Sequence, residues 1–332
     1  RSSLDDERPE VDVVDAAEKL SGIAVQTPLL RNAQLDALIG VPVYVKAEPL
    51  QQTGSFKIRG AYNRICRLTA EERKRGVVAF SSGNHAQGVA RAAKLLGVEA
   101  IIVMPEDSPQ IKIDGVRRDG AEIVFYDRFN QSREEIAATI AQDKGSIVVP
   151  SYDDFYVMSG QGTAGLEIVN QYPDPALPQA LVCCVGGGGL ISGISLAVHE
   201  HWADTRIYGA EPQDFDDHAR SLQSGQRETN SSDARSICDA LLSPSPGELT
   251  FAVNRQHLTG IGCVSDEEVK AAVRFAFLAL KVVCEPGGAA ALAALMAGKI
   301  PLSGTDPVVV VLTGGNVDPA RFSEILMSAA QI

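Results

Sequence analysis

Leu181-Val182-Cys183-Cys184-Val185-Gly186-Gly187-Gly188-Gly189-Leu190 is the stretch on which the reading of the fold depends. Its apolar half runs without a polar break, as a strand buried on both faces of a parallel sheet does. The glycines follow at once, and a helical pattern opens at Leu190. Consecutive glycines are costly to order, so something must approach their backbone closely. A glycine-rich turn between strand and helix presents free N–H groups and the positive end of the helix, which suits a single phosphate. No Lys-Ser/Thr pair follows it, so it is not a Walker loop, and it is not a GxGxxG turn near the start of the chain.

Working outward, short β-branched runs alternate with longer helical patterns from about residue 40 onward. Strands are expected at 41–47, 77–80, 100–104, 123–125, 147–150, 181–185, 207–210 and 308–312. Helices are expected at 85–96, 132–142, 166–171, 190–201 and 266–280. This alternation predicts an α/β architecture with doubly wound, mostly parallel sheets. Ligands in such folds gather where strands pass into helices. The segments 81–84, 186–189 and 314–316 all lie at such junctions. Residues 224–236 read as a polar surface loop and 244–247 as a turn.

The chain has 332 residues, 45% hydrophobic and 22% charged, enough for one large or two medium domains. Thirty Lys and Arg against 42 Asp and Glu give a formal charge of −12. That excess of acid repels polyanions and argues against a nucleic-acid or anionic-membrane partner. No apolar run reaches the roughly 18 residues of a membrane span, and residues 1–10 lack the apolar core of a secretory signal. The six cysteines form no CxxC pair and read as reduced, buried thiols of a cytoplasmic protein. The histidines show no HExxH spacing, which argues against catalytic zinc.

Two further segments carry chemistry. Ser55-Phe56-Lys57-Ile58-Arg59-Gly60 opens a helix, and the apolar neighbours Phe56 and Ile58 suggest that Lys57 sits in a partly dry place. Desolvation lowers an amine's pKa and makes it a better nucleophile toward an aldehyde. Ser81-Ser82-Gly83-Asn84-His85 joins a strand to a helix, where hydroxyls and backbone N–H groups suit a carboxylate or serve as a plain N-cap. A lysine together with a one-phosphate cradle is what pyridoxal phosphate requires.

With residues 55–60, 81–87, 160–162, 186–190, 210–212, 285–286 and 313–318 in order along the chain, the sequence resembles the threonine dehydratase and serine racemase family of pyridoxal-phosphate enzymes, the tryptophan-synthase-β-like fold type II. The resemblance implies two α/β domains with the cofactor in the cleft between them. Residues 1–52 and 151–332 would form the larger, and 53–150 a small mobile domain with the carboxylate loop. It implies that Lys57 is the Schiff-base lysine and general base, that Phe56 packs on a cofactor face, and that Asn84 bonds the ring oxygen. Gly186, Gly187, Gly188, Gly189 and Leu190 would hold the phosphate, Thr313 would stand beside the pyridine nitrogen, and Glu285 would be an acid near the cofactor. Ser81, Ser82, Asn84 and His85 fall where the family holds the substrate carboxylate. The resemblance also implies a homodimer.

The implied reaction is β-elimination of water from threonine or serine, giving a 2-oxo acid and ammonia. A hydroxyl at Thr313 cannot keep a proton on the pyridine nitrogen as an aspartate would, which disfavours a long-lived carbanion and transamination. Ser82 leaves racemisation open, since racemases of the family carry serine there as acid/base on the face opposite Lys57. Elimination from hydroxyaspartate or phenylserine also stays open, and Arg133 resembles an arginine that reaches acidic substrates in some relatives. A phosphate-binding protein without catalysis would use the glycine turn but leave Lys57 unexplained. Glu211, the Phe215 carbonyl and Asp217 resemble the family's divalent-cation loop, whose all-oxygen ligands imply Mg²⁺ or Ca²⁺. Ala240 departs from the family's glycine near substrate and cofactor. Because the sequence runs only to Ile332, the regulatory domain of biosynthetic threonine dehydratases is not expected.

Overall fold

The computed structural model describes residues 10–81 and 83–330. Among them, ten strands build two sheets. Six strands, β1 (Leu29–Leu30), β2 (Val43–Ala47), β7 (Ala180–Cys184), β8 (Arg206–Pro212), β9 (Leu258–Val264) and β10 (Val308–Leu312), lie in the order β1-β2-β10-β7-β8-β9. All neighbours run parallel except the short β1 against β2. The other sheet orders β3 (Val77–Phe80), β4 (Ala100–Pro105), β5 (Glu122–Tyr126) and β6 (Ile147–Val148) as β5-β4-β3-β6, all parallel.

The continuous apolar runs follow from burial on two faces. Val308, Val310 and Leu312 of β10 join one core with Val43, Val182 and the helix Ala290–Met296. Val309 and Val311 face the other way and meet Leu181 with Ile191, Ile194 and Val198 of the helix Gly189–His199. In the smaller sheet Val77, Ala79 and Ile102 pack on the helices Lys57–Ile65 and Asn84–Leu96, whereas Val78 and Val103 pack toward Ala137. Each fully buried Val or Ile contributes on the order of 1.5–3 kcal/mol, so a strand so composed is stable only between two layers.

The helix Lys57–Ile65 is held between two others by missing side chains. A Cβ on Gly88, in the helix Asn84–Leu96, would stand 3.0 Å from the Lys57 carbonyl carbon. One on Gly160, in the helix Phe155–Gln171, would come within 2.3 Å of the Arg59 oxygen. Arg59 is fully buried and bonds Glu48 Oε1 (2.5 Å), Thr163 Oγ1 (3.0 Å) and Glu167 Oε2 (2.5 Å), while Lys46 Nζ reaches Glu167 Oε1 at 2.8 Å. Two cations and two anions thus compensate one another where a lone buried charge would be prohibitive.

Several elements depart from the sequence reading. The helix expected at 166–171 begins at Phe155, because Ser159, Gly160, Gly162 and Thr163 are small residues packed at crossings rather than loop. The edge strand β9 was not anticipated; Gly260 and Gly262 interrupt its apolar pattern. The helix expected over 266–280 is α-helical to Phe275 and changes to a π turn over Ala276–Leu280, ending at Lys281 with φ +61°.

Candidate active site

The C-terminal ends of β7 and β10 lie side by side, which places Gly186–189 next to Thr313. They open on a cavity of about 860 Å³ whose walls include Phe56, Lys57, Ser81, Asn84, His85, Leu190 and the glycine turn. The lysine and the phosphate cradle, far apart in sequence, therefore share one space. Lys57 Nζ donates to the Ser151 carbonyl at 3.2 Å and stands 5.2 Å from the centre of the Phe56 ring. Burial, opposed by Cys184 and reinforced by Lys112, lowers its pKa to about 8. The apolar flanks in the sequence pointed to this desolvation.

The glycine turn needs its glycines for room and for conformation. Gly188 has φ +97°, and a Cβ there would stand 2.8 Å from both His218 Nε2 and Asn254 Nδ2. One on Gly187 would lie 2.1 Å from the Tyr152 ring. The turn is braced from the helix Glu248–His257, whose Thr250 Oγ1 donates to the Gly187 carbonyl at 2.6 Å. Asp153 caps that helix by accepting from the N–H groups of Glu248, Leu249 and Thr250. Tyr152, Asp153, Thr250 and Asn254 were all missed from sequence. Tyr152 and Asp153 follow a stretch read as a strand, Thr250 and Asn254 lie beyond one read as a turn, and no local pattern marks them.

Asn84 and Glu285 face each other. Asn84 Nδ2 donates to both Glu285 oxygens at 3.0 and 3.1 Å, and Asn84 Oδ1 accepts from Asn316 Nδ2 at 2.9 Å. Glu285 also receives Lys112 Nζ at 2.9 Å, which in turn meets Asp239 Oδ2 at 3.1 Å. Burial works against the Lys112 charge, but Glu285 and Asp239 outweigh it and hold the ammonium above its ordinary range. This buried pair was not foreseen, since a lysine in an amphipathic helix reads as solvent-facing.

Ser81 Oγ accepts from Gly83 N at 2.9 Å, and Ser82 lies outside the described residues. His85 is buried, with Nε2 bonded to the Val149 carbonyl at 2.9 Å. Burial and then Lys57 push its pKa down to about 3. The ring is therefore neutral with its proton on Nε2, and Nδ1 presents a lone pair that would repel a carboxylate. Of His85, the main-chain N–H at the start of its helix is the group suited to an anion. Thr313 Oγ1 lies 3.4 Å from Cys184 Sγ in the cavity wall. Ala240 also lines the cavity, and its methyl stands 3.1 Å from where a Cβ on Gly287 would be, so a facing glycine takes up the extra bulk. Arg133 lines the wall beside Phe80, 5.1 Å from that ring's centre, with Nε bonded to Glu134 Oε1 at 3.1 Å.

Behind Gly188, Glu211 and Asp217 are buried together with His218. Burial and the adjacent Asp217 push Glu211 up, and burial raises Asp217 to about 6. Phe215, in the short turn Gln213–Phe215 between them, also borders the cavity. No helix among the described residues is long and apolar enough to cross a membrane.

A buried amine of lowered pKa, an N–H-lined glycine turn at a helix start, a hydroxyl on the adjoining wall and room for a ring between them fit pyridoxal phosphate. Comparison with known proteins agrees. Residues 20–314 match the family model described as "Pyridoxal-phosphate dependent enzyme". An L-threo-3-hydroxyaspartate ammonia-lyase from a Pseudomonas species is 43% identical over 315 residues, covering 95% of this chain and 97% of that protein. An L-threonine ammonia-lyase from Thermotoga maritima is 38% identical, covering 95% of this chain and 77% of that one. The structure of maize serine racemase superposes with a TM-score of 0.89 at 33% identity, over 96% of this chain and 97% of that one. The doubly wound parallel sheets match fold type II of such enzymes. A cavity built for this cofactor, in a chain that matches over nearly its whole length, makes the protein a member of the pyridoxal-phosphate-dependent enzyme family, within its group of ammonia-lyases and racemases.

Proposed function

We propose that the protein removes water from a small L-β-hydroxy amino acid, releasing a 2-oxo acid and ammonia, and that 3-hydroxyaspartate is its preferred substrate. The observation that carries the reaction is the placement of the Lys57 amine in one cavity with the Gly186–189 turn. The chemistry supplied by bound pyridoxal phosphate is electron withdrawal from an amino acid joined to it, which makes the Cα proton acidic. Lys57 takes that proton. With its pKa lowered to about 8, half of these amines are unprotonated near that pH, where an ordinary lysine is almost wholly charged. The N–H groups of Gly186, Gly187, Gly188, Gly189 and Leu190 hold the phosphate, and Phe56 packs on a cofactor face. Thr313 meets the ring nitrogen with a hydroxyl. The start of the helix Asn84–Leu96, with Ser81 beside it, takes the substrate carboxylate through main-chain N–H groups.

The choice of substrate rests on Arg133. Its guanidinium, stacked on Phe80 in the cavity wall, offers a second carboxylate a cation that threonine and serine cannot use. The similarity to L-threo-3-hydroxyaspartate ammonia-lyases supports the same choice. Threonine and serine are slower substrates on this reading. Ser82, in sequence terms, favours some racemisation as a second activity.

A substrate panel with detection of 2-oxo acids tests this. Oxaloacetate from L-threo-3-hydroxyaspartate should form with a kcat/KM at least about tenfold above that for 2-oxobutanoate from threonine, the discrimination of one charge-assisted contact. A higher value for threonine would reverse the substrate order. Lys57→Ala should abolish all turnover with the fold intact by circular dichroism; retained turnover would remove Lys57 as the base.

A further inference from the structure

Glu211, Asp217 and His218 bring ligand-type atoms to within 4.8 Å of one another, and among the described residues no other such group of three or more is found. All three are buried. Among the described residues neither carboxylate forms an ion pair with a lysine or arginine; Arg220 on the same helix is engaged by Asp216 at 2.9 Å. Glu211 accepts from the N–H groups of His218 (3.0 Å) and Ala219 (2.8 Å), and Asp217 Oδ1 accepts from Asn230 Nδ2 at 3.0 Å. The remaining Asp217 oxygen, Oδ2, and His218 Nδ1 have no hydrogen-bond partner. Nδ1 stands 3.8 Å from Asp217 Oδ2 and 3.9 Å from Glu211 Oε2. These gaps are too long for hydrogen bonds, yet they suit atoms on either side of an ion bound at about 2.0–2.4 Å from each.

We propose that His218 Nδ1 is a third side-chain ligand of this site, so that it takes a divalent transition-metal ion in preference to Mg²⁺ or Ca²⁺. Oxygen ligands alone suit the hard ions; an imidazole nitrogen shifts the preference toward Mn²⁺, Co²⁺ or Zn²⁺. The far side of the ring supplies an independent argument. His218 Nε2 lies 3.2 Å from Asn254 Nδ2, which is also 3.5 Å from the Gly188 carbonyl, and Asn254 Oδ1 is buried without a partner. A metal on Nδ1 uses the lone pair there and puts the proton on Nε2. That N–H requires an acceptor, and Asn254 supplies one by turning its amide so that Oδ1 faces the ring. One ion accounts for two otherwise unpartnered atoms, Asp217 Oδ2 and His218 Nδ1, and the turned amide gives the Nε2 proton its acceptor. The assignment does not depend on which reaction the enzyme catalyses.

The test uses the whole protein carrying pyridoxal phosphate, stripped of metals by a chelator and loaded with less than one equivalent of Mn²⁺. Electron spin-echo spectroscopy of the bound Mn²⁺ should show nitrogen modulation from a directly bound imidazole. His218→Asn should remove that modulation and weaken Mn²⁺ binding by at least about tenfold. Zn²⁺ should displace Mn²⁺ near stoichiometry, whereas Ca²⁺ should need a large excess. Bound Mn²⁺ without nitrogen modulation, modulation that survives in His218→Asn, or Ca²⁺ competing as well as Zn²⁺ would each overturn the proposal. So would a failure to bind Mn²⁺. The wild-type spectrum and the competition series decide the matter even if the variant does not fold.

Discussion

Replacing Lys112 by methionine isolates the energetic weight of the buried pair that links the two sheets. The methionine stem fills the space over Gly83, where the lysine carbons now pack, so the change removes charge more than volume. Glu285, 2% exposed, would then be a carboxylate with no cation, retaining hydrogen bonds from Asn84 and from the Asn316 N–H at 3.0 Å. Removing one partner of a buried pair costs about 3–5 kcal/mol, and the surviving hydrogen bonds place this case near ~3 kcal/mol. For 332 residues the unfolding entropy is about 0.7 kcal/mol/K, so melting should fall by about 4 °C. The assay is calorimetry of the cofactor-loaded protein for Lys112→Met, Glu285→Gln and the double variant. Neutralising Glu285 in the Lys112→Met background should recover most of the loss. A melting shift under about 1 °C for Lys112→Met, or a double variant no more stable than the single, would refute an unpaired-charge penalty of this size.

In the cofactor-free protein, the rate of pyridoxal-phosphate uptake should rise about tenfold per pH unit below 8 and level off above it, because the attacking form of Lys57 is unprotonated and its pKa is lowered to about 8; a stopped-flow series that keeps rising to pH 10 would mean an ordinary lysine. Gly187→Ala drives a methyl into the Tyr152 ring, 2.1 Å away, and should cost about 1–3 kcal/mol with a loss of phosphate affinity; adding Tyr152→Ala should restore part of both, as followed by equilibrium dialysis. Arg133→Ala should lower kcat/KM for 3-hydroxyaspartate by about 10–100-fold and leave threonine within about threefold; an equal loss for both substrates would make Arg133 a structural residue only. Cys184→Ala leaves the Thr313 hydroxyl without its thiol neighbour at 3.4 Å, and the visible absorption band of the holoprotein should shift, whereas an unchanged spectrum would mean that the thiol has no say in how the hydroxyl is oriented.

The strand order of a parallel sheet could not be read from sequence, but its central strands could, because β7, β10 and their neighbours are apolar on both faces and leave no helix-period alternative, unlike the edge strands β1 and β9. Lys57 and the glycine turn were legible for a related reason: each breaks a local rule, a charge among apolar residues in one case and flexible backbone after a strand in the other. The supporting residues obey local rules and so stay hidden. Lys112 has the spacing of a surface residue, and Asn254 and Thr250 sit on an unremarkable amphipathic helix. His218 follows an acidic run that reads as solvated. Only tertiary contact reveals that each is buried against a charge, a carbonyl or a neighbouring side chain.

Gly88 and Gly160 deny the segment bearing Lys57 any clearance on either flank. The main chain at position 57 is consequently indexed to two neighbouring rods at once, and only the lysine's own torsions are left to aim its amine. A methyl inserted at either contact would act as a shim, displacing the whole rod by a fraction of an ångström. Proton abstraction depends on reach and alignment at that scale, so turnover is the quantity most sensitive to such a shim, ahead of melting temperature or cofactor content.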